Sequence, residues 1–182
     1  MESGVAKVLE INETSDDMRV AWELLVKTKA VPLGPLDILL IDDNLADVRM
    51  VTEGLRETIP SARLSVTRDG VEAIQFLRQQ GSYSAAPRPD LVLLDLRMPK
   101  KSGFEVLREI KEDRALANIP VVVQSCSESA LDVQKAYSLR ANSYMTKPIG
   151  VDEFNRALRV LVEFWITVAK LPDGRQEWRG YD

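Results

Sequence analysis

Four stretches of this chain run apolar and then stop on a reactive polar side chain. Residues 38–41 lead into Asp42-Asp43, 91–94 into Asp95, 121–123 toward Ser125, and the weaker 143–146 into Lys147-Pro148. Helical patterns separate them, so the strands are expected to run parallel in a sheet with helices on its faces. In such a fold every strand ends on the same edge, and ligands bind in the crevice along that edge. Three carboxylates, a hydroxyl and an ammonium, far apart in sequence, are therefore expected in one pocket. Singly, each has an ordinary explanation. Asp-Asp after a strand signals a helix start, Ser125 reads as a buried hydroxyl bonded to backbone, and Lys147 as a surface lysine before a turn. Their joint occurrence, with Pro99 and Gly103 shaping the loop after Asp95, is the argument for a site.

The elements follow from periodicity. Strand one is read over 36–42, followed by a helix over 45–58 with Asn44 as N-cap. Strand two, 62–68, alternates Leu64 and Val66 with Arg63, Ser65 and Thr67, as a half-exposed edge strand does. A helix from Gly70 is expected to carry Val71, Ile74 and Leu77 inward, and one after Gly103 to offer Phe104, Leu107 and Ile110. The helix after Glu128 offers Leu131 and Tyr137; the final helix, 151–169, offers Phe154, Leu158, Leu161 and Trp165. Five strands alternating with five helices predict a doubly wound α/β domain over 36–171, a parallel sheet in the order 2-1-3-4-5.

Residues 1–35 read as an N-terminal extension. Thr14 and Asp17 resemble a capping box, and Met18, Ala21, Trp22 and Leu25 share one helical face before Pro32, Gly34 and Pro35 end it. This helix is expected to pack on the domain or lie as a loose leader, with a partner-binding role as the alternative. Residues 172–182 form a tail.

Composition limits the chemistry. There is no histidine, so imidazole bases, His-ligated metals and phosphohistidine are excluded within this chain. Any histidine in the reaction must come from another protein. The net charge of −4, with basic residues dispersed, argues against nucleic acid as the main partner. Cys126 is the only cysteine, which suits a reducing compartment. No basic-then-apolar leader and no membrane-length apolar run is visible, so a cytoplasmic protein is expected, with no membrane partner.

Asp42, Asp43 and Asp95 crowded together resist joint ionisation, and a divalent cation resolves this. An all-oxygen donor set suits Mg2+, with Mn2+ as a substitute, and lacks the nitrogen and sulfur ligands that zinc prefers. Asp95, single and at the end of a central strand, is the nucleophile of choice for an aspartyl phosphate. The cation and Lys147 would neutralise charge on the phosphoryl group, and Ser125 would donate to one of its oxygens. Lys147-Pro148 is expected to be a cis peptide that fixes the lysine's aim.

The segments ILLIDDN, LVLLDLRMPKKSGFEVL, IPVVVQSCS and SYMTKP resemble the receiver domain of two-component response regulators, over about residues 36–171. That resemblance implies Asp42 and Asp43 as the acidic metal pair, Asp95 as phospho-acceptor, and Arg97 as a backbone-carbonyl metal ligand. It implies Ser125 and Tyr144 as a switch pair that turns inward on phosphorylation, and Lys147 as the phosphate-binding lysine. The stretches GSYSAAPRPD, MPKKSG and EFW look more narrowly like small regulators paired with phytochrome-type histidine kinases. The chain departs from the receiver pattern at Arg97, where asparagine is common, and at Ser125, where threonine is commoner. It departs also at Cys126, where small residues are usual, and Gln124 interrupts an otherwise apolar strand.

The short tail leaves no room for an output domain, so output is expected to be binding, as in a stand-alone regulator acting on a downstream protein. Val160 and Phe164 lie off the apolar stripe of the last helix, which makes them, with Trp165 and the tail's Trp178, the candidate surface of a homodimer. A haloacid-dehalogenase-like phosphatase is the enzymatic alternative, but it needs a second aspartate where Arg97 stands. A receiver that acts as an unphosphorylated scaffold is the third reading.

Overall fold

The computed structural model describes residues 36–172 of the chain. The expectations for the extension and for Trp178 in the tail lie outside the described residues. Five parallel strands form one sheet: β1 (Asp37–Ile41), β2 (Arg63–Thr67), β3 (Leu91–Asp95), β4 (Val121–Ser125) and β5 (Ser143–Thr146), in the order β2-β1-β3-β4-β5. This is the expected order, with β2 at one edge. Between them run α1 (Leu45–Thr58), α2 (Gly70–Leu77), α3 (Gly103–Glu112) and α4 (Ala130–Ser138), and α5 (Val151–Glu163) closes the fold.

The central strands are apolar along most of their length, Gln124 of β4 apart, because both faces are covered. Alternate residues divide between two cores. Leu39, Ile41, Val92, Leu94, Val121 and Val123 pack with Ile74 and Leu77 of α2, Val106, Leu107 and Ile110 of α3, and Ala136 of α4. Ile38, Leu40, Leu91, Leu93 and Val122 face Val51 and Leu55 of α1 and Phe154, Leu158 and Val162 of α5. Gly54 is where α1 and α5 meet: a Cβ there would press to 2.8 Å from Leu158 Cδ2.

Helix starts follow their caps. The Asn44 side chain accepts from Ala46 N, Asp69 accepts from Val71 N and Glu72 N, and Ser102 forms a capping box with Glu105. Several inward assignments are corrected. Leu131 and Tyr137 of α4 and Val71 of α2 are exposed, because short helices on the sheet bury a narrower stripe than their apolar content suggests; Ala136 is the residue that α4 buries. The last helix changes at Phe164–Val168 into a π-helical turn, where an unbroken α-helix was expected.

Candidate functional site

The chain direction diverges between β1 and β3: from β1 the next strand lies on one side, and β3 lies on the other. Side chains at the C-terminal ends of these two strands therefore meet at the crevice where the connections part. Asp42 follows β1, Asp95 ends β3, and both are buried. Lys147, just past β5, reaches across to them. Its Nζ lies 2.7 Å from Asp42 Oδ2, 2.9 Å from Asp95 Oδ1 and 2.8 Å from Asp47 Oδ2. The lysine is itself only 8% exposed, so this is a low-dielectric cluster rather than a surface pairing.

One ammonium among three carboxylates leaves negative charge in excess. Burial, reinforced by Asp95, pushes the Asp42 carboxyl up against the pull of Lys147. Burial works to lower Lys147, but Asp42 and Asp95 together outweigh it and hold the ammonium above its ordinary value. Backbone donors complete the carboxylates: Asn44 N donates to Asp42 Oδ1 at 2.9 Å and Arg97 N to Asp95 Oδ2 at 2.6 Å. Gly103 makes the loop after Asp95 possible. Its N–H donates to Leu96 O, and any Cβ would overlap the Asp95 carbonyl oxygen.

Asp43 is exposed, one residue past Asp42, and makes no side-chain hydrogen bond among the described residues. As the side chains stand, no three acidic, histidine or cysteine residues among the described residues gather closely enough to hold a metal. The ammonium of Lys147 occupies the point on which the carboxylates converge. The donor set nevertheless fits a hard cation, since Asp42 and Asp95 already share one cationic centre and every donor is oxygen.

Ser125 is fully buried at the end of β4; its Oγ accepts from Ser127 N at 3.2 Å. Tyr144 on β5 donates its hydroxyl to Ser127 O at 2.8 Å, so both expected switch residues bear on the loop after β4. Arg97, Cys126, Ser127, Lys147, Pro148 and Phe154 are among the residues lining the cleft beside this cluster. The Lys147-Pro148 bond is a correction: no cis peptide occurs among the described residues. Lys147 is aimed by its three carboxylates and by its backbone N–H, which donates to Ser125 O, so no cis bond is needed. Sequence reasoning missed Asp47. An acid in the first turn of a helix reads as a dipole partner, but the third position after the Asn44 cap turns it toward the strand edge.

Residues 38–159 match the family described as "Response regulator receiver domain". The chain belongs to that family. It is 43% identical over 138 residues to response regulator Rcp1 of Synechocystis sp., covering 76% of this chain and 94% of that one. It is 38% identical over 133 residues to the probable methanogenesis regulatory protein FilR2 of Methanothrix harundinacea, covering 72% and 84%. The crystal structure of the phosphorylated cyanobacterial phytochrome response regulator RcpA superposes with a TM-score of 0.74 at 43% identity, covering 76% of this chain and 99% of that one. The Mn(2+)-bound form of Rcp1 gives 0.73 with the same identity and coverage. The receiver reading thus stands and the phosphatase alternative gains no support. Among the described residues no helix is long and apolar enough to cross a membrane.

Proposed function

We propose that this receiver takes a phosphoryl group onto Asp95 from the histidine of a sensor kinase and signals through the altered surface. The observation that carries the reading is the buried Asp42–Lys147–Asp95 cluster at the sheet's carboxyl edge. In the transfer the P–N bond of the kinase's phosphohistidine breaks as Asp95 Oδ forms the new P–O bond, and the electron pair returns to the imidazole. No histidine of this chain competes for the group. Lys147 leaves part of its carboxylate shell to pair with the phosphoryl oxygens, and Ser125 Oγ gives up Ser127 N to donate to one of them. Tyr144 then loses the Ser127 carbonyl as its fixed partner and turns inward, which couples Asp95 to the face of α4 and β5.

Asp42, Asp43, Asp95 and the backbone carbonyl of Arg97 are the groups that would hold Mg2+, or Mn2+ in its place. When bound, the ion supplies charge neutralisation for the phosphoryl oxygens. Similarity to proteins described as phytochrome response regulators supports a phytochrome-type kinase as the donor. Exposed Val160 and Phe164, beside the half-buried Trp165, support a homodimer through α5 and the turn after it. A downstream protein is the recipient of the signal, and the setting is cytoplasmic, with neither membrane nor nucleic acid as the target.

The test is labelling by acetyl phosphate with Mg2+. Wild type is expected to take up one phosphoryl group, and Asp95→Asn and chelator-treated protein none. Uptake by Asp95→Asn equal to wild type would refute the assignment of the acceptor.

A further inference from the structure

Gln124 is the one polar residue placed inside the apolar part of β4, and it is wholly buried. Among the described residues neither its Nε2 nor its Oε1 has a hydrogen-bond partner. Burial of an amide with both groups unpaired is costly, and a leucine or methionine would fill the same space without that cost. Its location gives the amide a use. In the parallel ladder Gln124 is the register partner of Asp95 on β3 and of Met145 on β5. Register partners on neighbouring strands lie about 4.8 Å apart and point to the same face. Met145 and, two positions back on β4, Val122 belong to the core under α1 and α5, which fixes the face. The Gln124 side chain therefore stands next to that of the phospho-acceptor, on the same side of the sheet.

Asp95 has room for another donor. Lys147 holds Oδ1 and Arg97 N holds Oδ2, whereas a carboxylate offers about four acceptor sites. We propose that Gln124 is a phosphoryl-sensing residue: its amide N–H is left unpaired in the resting protein and donates to the acyl phosphate once Asp95 carries one. The inference rests on the reading of Asp95 as acceptor. Phosphorylation brings more anionic oxygen within reach of this neighbouring amide, whose donors have no partner among the described residues. The new bond stabilises the phosphorylated form selectively and slows its hydrolysis.

The experiment compares wild type with Gln124→Met, and with Gln124→Leu as a second shape, using Asp95→Asn as control. Acetyl phosphate supplies the phosphoryl group, and beryllium fluoride serves as its stable mimic. The expected result is a resting variant at least as resistant to urea as wild type. Its acyl phosphate should decay about tenfold faster, and beryllium fluoride should bind correspondingly more weakly, the effect of losing one hydrogen bond to a charged acceptor. In wild type the Gln124 side-chain amide resonance should move downfield on adding beryllium fluoride. This last reading needs no substitution to fold. An unmoved amide resonance, or equal acyl-phosphate lifetimes in wild type and both variants, overturns the role of Gln124 alone. If wild type accepts no phosphoryl group while folded, the acceptor assignment falls and the role of Gln124 falls with it.

Discussion

Lys147 carries the electrostatics of the site, since three carboxylates meet on its ammonium and two of them, Asp42 and Asp95, are buried. Removing one partner from such a cluster leaves uncompensated charge in a low dielectric. Lys147→Met is expected to lose about 3–5 kcal/mol of stability and to abolish stable phosphorylation, read by urea denaturation and acetyl phosphate labelling. A second buried lysine allows a pH test away from the site. Lys111 Nζ donates to Ala117 O, Ile119 O and Asn142 Oδ1, and burial, with the Arg140 guanidinium, pushes its pKa down to about 8. The unfolded lysine titrates near 10.4, so between about 8 and 10.4 the unfolded chain binds the extra proton and stability rises with pH. Relative to Lys111→Met, wild type should gain on the order of 2 kcal/mol from pH 7 to pH 10. Denaturation curves at both pH values check this, and a flat difference would contradict it. At this scale the sequence exposed Asp42, Asp95, Ser125 and Lys147 because each ends a strand pattern. It hid Asp47 because a first-turn acid has a sufficient local explanation.

Among the elements, α3 and the loop before it set the position of Asp95. The Ser102–Glu105 capping box fixes where α3 starts, and Gly103 lets that start lie against the Asp95 backbone. Gly103→Ala should cost about 1–3 kcal/mol, or more if the loop cannot yield, and should slow phosphorylation by displacing Asp95. Thermal melts and labelling rates taken together separate this from a purely global loss. In α5, Leu158 is buried between α1 and the sheet, and Leu158→Ala should cost about 2–5 kcal/mol, measurable in urea. The start of α1 was legible because its Asn44 cap is local chemistry, whereas the caps Asp69 and Ser102 emerged only with the structure. The exposure of Leu131 and Tyr137 was not legible, because periodicity gives the face of a helix but not how deeply a neighbouring element covers it.

For the whole molecule, the exposed apolar residues of α5 and its π-helical turn are the surface of the proposed homodimer. Val160 and Phe164 are exposed, while Trp165 packs into the core under α1 and α5 and stacks edge-on against Phe164 at 5.4 Å. Wild type is expected to sediment as a dimer and Phe164→Glu as a folded monomer with an unchanged far-ultraviolet circular dichroism spectrum. A monomeric wild type at high concentration, with and without beryllium fluoride, would contradict the dimer. The sequence by itself determined the strand–helix alternation, the sheet order and the residues that end on one edge, because each is written in local periodicity and in parallel connection. Only the tertiary structure decided which carboxylates share Lys147, that Asp43 faces solvent while Asp47 faces the ammonium, and that the Gln124 amide has no partner among the described residues. Those are distances between segments roughly fifty to a hundred residues apart, and packing, not pattern, sets them.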